Sequence, residues 1–189
     1  MKPWARYLIG GAVGVVLGVG LAVGSVRSGA LGSNAAIGPW QTGADFGTAD
    51  AGARTRAVIA LRGLLALPAR EARYYNAATD DSGRALDGNC RYRIAGGMLP
   101  AQWWSLTLYT PDGYLVGDGP YSIEGAALPA AEHRGWNVTV APTRQPGHWL
   151  PSAGLDRFQL TLRTYLPTGG GRTDPTRAVL PTITREACA

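Results

Sequence analysis

The stretch WWSLTLYTPDG, residues 103–113, decides the fold of this chain. Its first seven residues combine aromatic and β-branched side chains, which fit the pleated surface of a sheet. Pro111 then fixes φ and Gly113 permits a positive φ, so the chain turns directly after the strand. Residues 114–116 are expected to return as the second strand of a hairpin.

A second strand is expected at residues 158–166, where apolar and polar side chains alternate strictly. Leu160 and Leu162 face one side, whereas Arg163 and Tyr165 face the other. Further short strands are expected at residues 90–95, 121–123, 136–141 and 179–184. Many short strands separated by Gly and Pro turns predict a mainly β fold, an antiparallel β-sandwich or jelly-roll-like domain.

An uncharged apolar run, LIGGAVGVVLGVGLAVGSV, occupies residues 8–26. An α-helix needs about 20 apolar residues to span a bilayer, so the run predicts a transmembrane signal anchor. Lys2 and Arg6 precede it and only Arg27 follows closely, so we expect a cytoplasmic N-terminus and a periplasmic main domain. A cleaved signal peptide is the alternative, because residues 22–24 fit a small-x-small cleavage site.

Small residues recur at four-residue spacing along the apolar run, at Gly10, Gly14 and Gly18. Such a stripe lets two membrane helices approach closely and predicts self-association through this face. A weakly apolar helix that happens to be rich in glycine is the alternative interpretation.

The pattern divides the chain into four segments. They are a cytoplasmic N-terminus at 1–7, a transmembrane anchor at 8–26, a Gly- and Ala-rich linker at 27–50 and a periplasmic β-rich domain at 51–189. A short α-helix is expected to open that domain over residues 51–67, with Asp50 as its N-cap and Pro68 ending it.

The net charge of +5 is concentrated around the apolar run. From Ser28 onward there are 15 arginines and 13 acidic residues, a net charge of only +2, and the arginines are scattered. Nucleic-acid binding needs a clustered basic footprint, so the composition does not support a nucleic-acid partner. The Ala and Gly richness and the near absence of lysine are typical of a bacterial protein.

The two cysteines, Cys90 and Cys188, would both lie outside the cytoplasm. An oxidising periplasm permits a disulfide between them, which would hold the C-terminal tail to an early strand. Two free thiols are the alternative.

No catalytic signature is found along the chain, and no cofactor or metal is expected. His133 and His148 lie outside any metal-ligand motif. Adjacent residues of a strand point to opposite faces, so Glu132 and His133 are not expected to act as a pair. The aspartates of the region, Asp80, Asp81 and Asp87, are interpreted as turn residues.

The aromatic residues of the β region suggest a site that binds a small or carbohydrate-like ligand, with an arginine as an anion clamp. The residues expected to form it are Trp104, Tyr109, Trp149, Arg163 and Tyr165. Packing of the same rings in the core and across strands is the alternative.

Six segments, in this order, resemble the bacterial family called domain of unknown function 1214. They are residues 67–74 (LPAREARY), 81–88 (DSGRALDG), 104–109 (WSLTLY), 121–123 (YSI), 148–151 (HWLP) and 162–167 (LRTYLP). The resemblance covers about residues 38–185 and implies a β-rich, jelly-roll-like domain. Members often follow a second domain, domain of unknown function 1254, whose place is taken here by the apolar run. The family's usual Asn-Trp-Leu-Pro is His-Trp-Leu-Pro in this chain, at His148.

The resemblance implies no catalytic residue, because the activity of the family is not established. It implies a stand-alone version that meets a separate companion protein containing domain of unknown function 1254. We therefore expect a non-enzymatic module of the bacterial inner membrane that binds a protein or small ligand. An enzyme acting on a small molecule or glycan of the cell envelope, and a structural subunit of a membrane complex, are the alternatives.

Overall fold

The computed structural model describes residues 3–27, 34–43, 48, 51–61, 67–117, 119–152, 154–169 and 179–188. Two α-helices and ten strands lie in these residues. The helices are α1 (Pro3–Arg27) and α2 (Ala53–Leu61). The strands are β1 (Asn34–Ile37), β2 (Trp40–Gly43), β3 (Ala72–Ala77), β4 (Cys90–Gly97), β5 (Ala101–Tyr109), β6 (Ser122–Glu124), β7 (Gly135–Ala141), β8 (Trp149–Pro151), β9 (Gln159–Pro167) and β10 (Thr182–Cys188).

Helix α1 contains a stretch, Pro3–Gly24, that is long and apolar enough to cross a membrane. Its apolar window is 0% buried within the protein, so the folded domain does not bury the residues of this window. A helix that is apolar all round and not buried in protein is suited to lipid. A signal sequence shares this length and composition, so the helix alone is weak evidence for a permanent anchor.

The strands form two sheets that enclose the core. The six-stranded sheet has the order β1-β2-β3-β9-β5-β6, and the four-stranded sheet has the order β10-β4-β7-β8. Neighbouring strands are antiparallel except β7 and β8, which run parallel. The expected mainly β fold is confirmed, with this one parallel pair in addition.

The alternation in β5 and β9 explains how the six-stranded sheet meets the core. Leu106 lies opposite Leu162, and Leu108 lies opposite Leu160, so four leucines share the face turned towards the four-stranded sheet. Each of the four is at most 2% exposed. Since burying one leucine side chain contributes roughly 1.5–3 kcal/mol, these strands define the core from the six-stranded side.

A stacked pair of indole rings, Trp104 and Trp136, closes the core with centroids 4.4 Å apart. A glycine lies against each ring, Gly125 beneath Trp104 and Gly96 beneath Trp136. A Cβ added to Gly96 would lie 2.2 Å from the Trp136 ring, and one added to Gly125 would lie 2.4 Å from the Trp104 ring. Only glycine therefore fits these two close approaches.

Three sequence expectations differ from the structure. Strands β1 and β2 lie within the segment 27–50 that was expected as a linker, so the sheet begins at Asn34 rather than after residue 50. Trp40 explains this difference: it is fully buried and its indole N–H donates to the carbonyl of Pro181 at 2.8 Å. Each of these two strands has only four residues and no clear alternation, so neither shows a strand signal in the sequence.

The hairpin return is the second difference. Residues 114–116 are not a strand, and β6 at Ser122–Glu124 pairs with β5 instead. The helix expected over residues 51–67 is described as α2 over Ala53–Leu61, and residues 62–66 and the expected N-cap Asp50 lie outside the described part of the chain. The third difference is the last strand, because β10 runs from Thr182 to Cys188 rather than over residues 179–184.

Candidate ligand-binding face

The face of the six-stranded sheet that points away from the four-stranded sheet, here called the outer face, carries polar and aromatic side chains. Backbone register aligns four of them across neighbouring strands: Tyr74 of β3, Arg163 of β9, Ser105 of β5 and Glu124 of β6. This order follows from the strand alternation, since each residue is one position away from a core residue. Arg163 therefore lies at the centre of the outer face.

A second row lies directly beside the first and consists of Asn76, Thr161, Thr107 and Ser122. The Thr161 hydroxyl donates to the Asn76 side-chain oxygen at 2.8 Å, and Thr107 donates to Ser122 at 3.3 Å. Thr107 and Thr161 are 5% and 4% exposed, so these hydroxyls are almost wholly buried. A sheet face open to water would leave such side chains exposed, so other residues of the protein cover this row.

Two neutral hydroxyls hold the Arg163 guanidinium in place. Nη1 donates to Thr107 Oγ1 at 3.1 Å, and Nη2 donates to the Tyr109 hydroxyl at 2.7 Å. The same guanidinium lies 5.3 Å from the centroid of the Tyr109 ring. Arg163 is partly exposed, and no carboxylate among the described residues pairs with it. Its positive charge is thus fixed in position but not neutralised.

Aromatic rings flank the arginine along the same face. Trp103 lies opposite Tyr165 in the ladder, and their ring centroids are 4.9 Å apart. Burial raises the pKa of the Tyr74 hydroxyl, and its charge interaction and hydrogen bond with Tyr165 raise it further. A hydrogen bond with the Leu67 backbone and the Arg163 charge only partly offset this effect. The Arg163 cluster, as we call Arg163 with Tyr74, Thr107, Tyr109 and Tyr165, is therefore a neutral hydroxyl group set around one cation.

The structure brings together three of the five residues expected at a ligand site. Tyr109, Arg163 and Tyr165 share the outer face. Trp104 lies on the opposite, core face, where it stacks on Trp136. The ring of Trp149 belongs to the four-stranded sheet, opposite Thr139. The prediction that Trp104 and Trp149 belong to the same ligand site as Arg163 is therefore wrong.

The reason for each correction is geometric. Trp104 and Tyr109 are an odd number of positions apart on one strand, so they cannot face the same side. The Trp149 indole N–H donates to the Ala141 carbonyl at 3.1 Å, and Arg144 lies over its ring at 5.3 Å. Sequence reasoning did not place the hydroxyls of Ser105 and Thr107 in the site. Their position next to Arg163 depends on which strands pair, and no local pattern shows that.

One imidazole–carboxylate pair was also missed. His148 Nε2 lies 2.8 Å from Glu132 Oε2, and both side chains are partly exposed. Glu132 does not pair with its neighbour His133, whose Nε2 lies 3.1 Å from the Leu128 carbonyl oxygen. The pair joins the short 3-10 helix Ala130–Glu132 to the loop before β8. Only the tertiary fold brings these two side chains together.

The turn aspartates hold the C-terminal strand in place. Asp80 is 2% exposed, and its carboxylate accepts hydrogen bonds from the Ser82 hydroxyl and from backbone N–H groups. Arg185 of β10 donates to the other carboxylate oxygen at 3.1 Å. Burial alone raises the pKa of Asp80, but the hydrogen bonds and the Arg84 charge outweigh it and hold the pKa below 3.8. Asp80 is therefore a structural anion.

A disulfide joins Cys90 of β4 to Cys188 of β10 across 98 positions of sequence. The sequence left this pairing open, and the structure forms it between paired neighbours in the four-stranded sheet. The Arg185 guanidinium lies 3.8 Å from Cys90 Sγ and 5.2 Å from the Tyr92 ring centroid. Within the described part of the chain, no group of three or more His, Cys, Asp or Glu side chains could hold a metal ion.

Together these features define a class: a β-sandwich domain behind an apolar N-terminal helix, with one sheet face built from aromatic rings and hydroxyls. The family model described as Protein of unknown function (DUF1214) matches residues 71–169, more than half of the chain. The chain belongs to this family.

One of the similar solved structures shares the fold of this chain. A Vibrio parahaemolyticus protein is similar over 99% of this chain and 46% of its own, with 18% identity and a TM-score of 0.60. This chain thus spans less than half the length of that relative. An uncharacterized Burkholderia cenocepacia protein is similar over 61% of this chain and 29% of its own, with 21% identity and a TM-score of 0.43. None of the curated proteins compared with the chain matches it.

Proposed function

We propose that this protein is a non-enzymatic envelope module that binds a small anionic ligand on the outer face of its six-stranded sheet. The observation that carries the proposal is the environment of Arg163. Its guanidinium is oriented by Thr107 and Tyr109, is partly exposed, and has no carboxylate partner among the described residues. A cation already held in place loses little conformational freedom when an anion binds.

The surrounding groups support binding rather than chemistry. The side chains bonded to Arg163 are neutral hydroxyls, which orient and recognise a ligand but do not transfer protons readily near pH 7. An enzyme acting on a small molecule or glycan would use the same cation to hold its substrate, so turnover is the outcome that separates the two functions.

The test is a thermal-unfolding screen of the full chain in lauryldimethylamine oxide, a detergent without a sugar headgroup. The panel contains carboxylates, inorganic phosphate, neutral sugars and amines. We expect an anion to raise the melting temperature of the wild type but not of Arg163→Gln. Conversion of that ligand into a product would instead favour the enzyme. If no panel member stabilises the protein through Arg163, the proposed binding face is wrong.

We further propose that α1 holds the domain in the periplasm with the N-terminus in the cytoplasm. Lys2 and Arg6 precede the apolar stretch, and the Cys90–Cys188 disulfide is suited to an oxidising compartment. Protease treatment of spheroplasts tests this orientation. Digestion of the β domain from outside is expected, whereas protection in intact spheroplasts would contradict it.

A protein partner is also proposed, either a separate companion carrying domain of unknown function 1254 or a second copy joined through α1. The similar Vibrio chain is more than twice as long as this one, which leaves room in that protein for a further domain. A Cβ added at Gly10, Gly14 or Gly18 meets nothing within 4 Å, so this helix face is open. Co-purification from membranes tests both partners, and a solitary monomer in every detergent would contradict them.

A further inference from the structure

The two cysteines of the Cys90–Cys188 disulfide differ in their access to solvent. Cys90, on β4, is only 2% exposed, whereas Cys188, at the end of β10, is exposed. Strand β10 is also the edge strand of the four-stranded sheet. Because a thiolate must reach a sulfur atom in order to open a disulfide, Cys188 is the cysteine that an external thiol can attack.

A positive charge lies beside both sulfur atoms. Nη1 of Arg185 is 3.8 Å from Cys90 Sγ and 3.9 Å from Cys188 Sγ. The other two nitrogens of the guanidinium are bonded elsewhere, since Nε donates to the Asp80 carboxylate and Nη2 donates to the Ala85 carbonyl. These two hydrogen bonds hold Nη1 in its position next to the disulfide.

The position of Nη1 becomes important when the disulfide opens. The bonded sulfur atoms are neutral, but attack by a thiolate leaves a negative charge on the sulfur that departs. Burial of Cys90 alone disfavours this charge, whereas a neighbouring arginine favours it. A donor that is already directed at the atom on which charge develops stabilises that charge without reorganisation. Cys90 is therefore suited to be the leaving sulfur.

Contacts other than the disulfide keep the two cysteines close together after it opens. Arg185 remains bonded to Asp80, and the backbone N–H of Ile183 donates to the Asp81 carboxylate at 2.7 Å. Both contacts join β10 to the turn that precedes β4. A Cys90 thiolate would thus stay beside Cys188 and could re-form the disulfide, which makes the opening reversible.

We propose that the Cys90–Cys188 disulfide is a site of thiol–disulfide exchange with small thiols, separate from the anion-binding face. The thiolate of the small molecule attacks Cys188 Sγ and forms a mixed disulfide with it. The bond between the two cysteine sulfurs breaks, and its electron pair stays on Cys90 Sγ as a thiolate beside Arg185. The sulfur of the small thiol is oxidised and that of Cys90 is reduced, so the step needs no other oxidant or reductant.

The first test locates the mixed disulfide. The full chain in dodecyl maltoside is incubated with reduced glutathione and quenched with acid, and the modified cysteine is identified by peptide mass spectrometry. We expect glutathione on Cys188 at least about 10-fold more often than on Cys90, because only Cys188 is accessible. The chain unfolded in urea is the control, in which both cysteines should be modified to a similar extent.

Two results of this test would overturn the proposal. One is an equal or reversed distribution of glutathione between Cys188 and Cys90 in the folded chain. The other is a disulfide that stays intact in the folded chain at a glutathione concentration that opens it in the unfolded chain. Both use the wild type, so the test does not depend on the folding of a variant.

Two variants separate the charge of Arg185 from its part in holding β10. Arg185→Gln and Asp80→Asn break the same ion pair and both loosen the strand, but only the first removes the cation beside the sulfurs. Exchange with glutathione should be about 10-fold slower in Arg185→Gln than in Asp80→Asn, because the leaving thiolate loses a hydrogen bond to a charged group. Equal rates would overturn the role of Arg185 at the leaving sulfur. Arg93→Gln, which removes an exposed arginine of β4, is the control and should exchange at the wild-type rate.

Discussion

The outer faces of the two sheets, which are turned away from the core, differ in how their arginine side chains are paired. On the four-stranded sheet, Arg91 and Arg93 are about half exposed and both pair with Glu186, at 3.0 and 3.4 Å. On the six-stranded sheet, Arg163 contacts neutral hydroxyls. The first arrangement is an ordinary solvated surface. The second holds the Arg163 guanidinium in place without a carboxylate partner among the described residues.

This difference shows where function is to be sought in a domain without a catalytic motif. Exposed ion pairs contribute little to stability and carry no information about a ligand. Burying a hydroxyl is costly unless it is hydrogen bonded, and the nearly buried hydroxyls of Thr107 and Thr161 both have hydrogen bonds. We proposed the six-stranded face as the binding face because hydroxyls orient its cation, Arg163, which has no carboxylate partner among the described residues.

Among the variants that compare the two sheets, removal of the disulfide should lower the free energy of unfolding most, because it releases one edge of the four-stranded sheet. The chain-entropy model gives about 4–5 kcal/mol for a loop of this length, so Cys90→Ala with Cys188→Ser should lower stability by about that amount. Chemical unfolding of the folded domain under oxidising conditions measures it. A loss below about 1 kcal/mol would show that β10 is held by other contacts.

Asp80→Asn should have the next largest effect. It should lower the free energy of unfolding by about 3 kcal/mol, because it leaves the Arg185 guanidinium without its buried partner. The effect should depend on pH. The folded pKa of Asp80 is held below 3.8, so its stabilisation is fully present above the unfolded pKa and is lost as the pH falls below 3.8 towards the folded pKa. Unfolding at a series of pH values should show wild type and variant converging in acid. A constant difference at every pH would contradict the role given to the carboxylate.

Replacing one threonine on each outer face by valine compares how much the two faces contribute to stability. Thr161→Val removes a hydrogen bond to Asn76 on the outer face of the six-stranded sheet and should lower the free energy of unfolding by about 1 kcal/mol. Thr139→Val, on the outer face of the four-stranded sheet, should change stability by less than about 0.5 kcal/mol. Both are measured by denaturant unfolding. Equal effects at the two positions would mean that the faces are energetically alike.

Glu186→Gln should have the smallest effect on the free energy of unfolding. It removes the partner of Arg91 and Arg93, but these pairs are largely exposed, so the loss should stay below about 0.5 kcal/mol. The loss should shrink further at high salt because the charges are screened. A salt-insensitive loss above about 1 kcal/mol in thermal unfolding would contradict the description of this face as a solvated surface.

Local sequence patterns predicted the strands that build the site. The alternation of β9 correctly placed Arg163 and Tyr165 on the face opposite Leu160 and Leu162. The apolar run at the N-terminus likewise predicted a helix able to cross a membrane, which α1 is by length and composition. These features depend on periodicity within a single segment, which the sequence shows directly.

Features that depend on pairing between distant segments could not be predicted. Ser105 and Thr107 look like ordinary strand residues until β5 is known to pair with β9. Trp149 was expected beside Arg163, but it lies on β8, and strand order across two sheets has no local signal. Trp104 is different, because counting positions from Tyr109 would have shown that the two rings face opposite sides.

The most direct test of the central claim compares the two faces within one sample. The Nε–H signals of arginine side chains in the ¹⁵N-labelled full chain, held in lauryldimethylamine oxide, are followed by NMR while the anion that most stabilises the protein in the thermal-unfolding screen is added. Arg163 is predicted to shift and saturate, while Arg93 stays in place. If Arg163 does not move, or if both signals move together, the outer face of the six-stranded sheet is not the binding face.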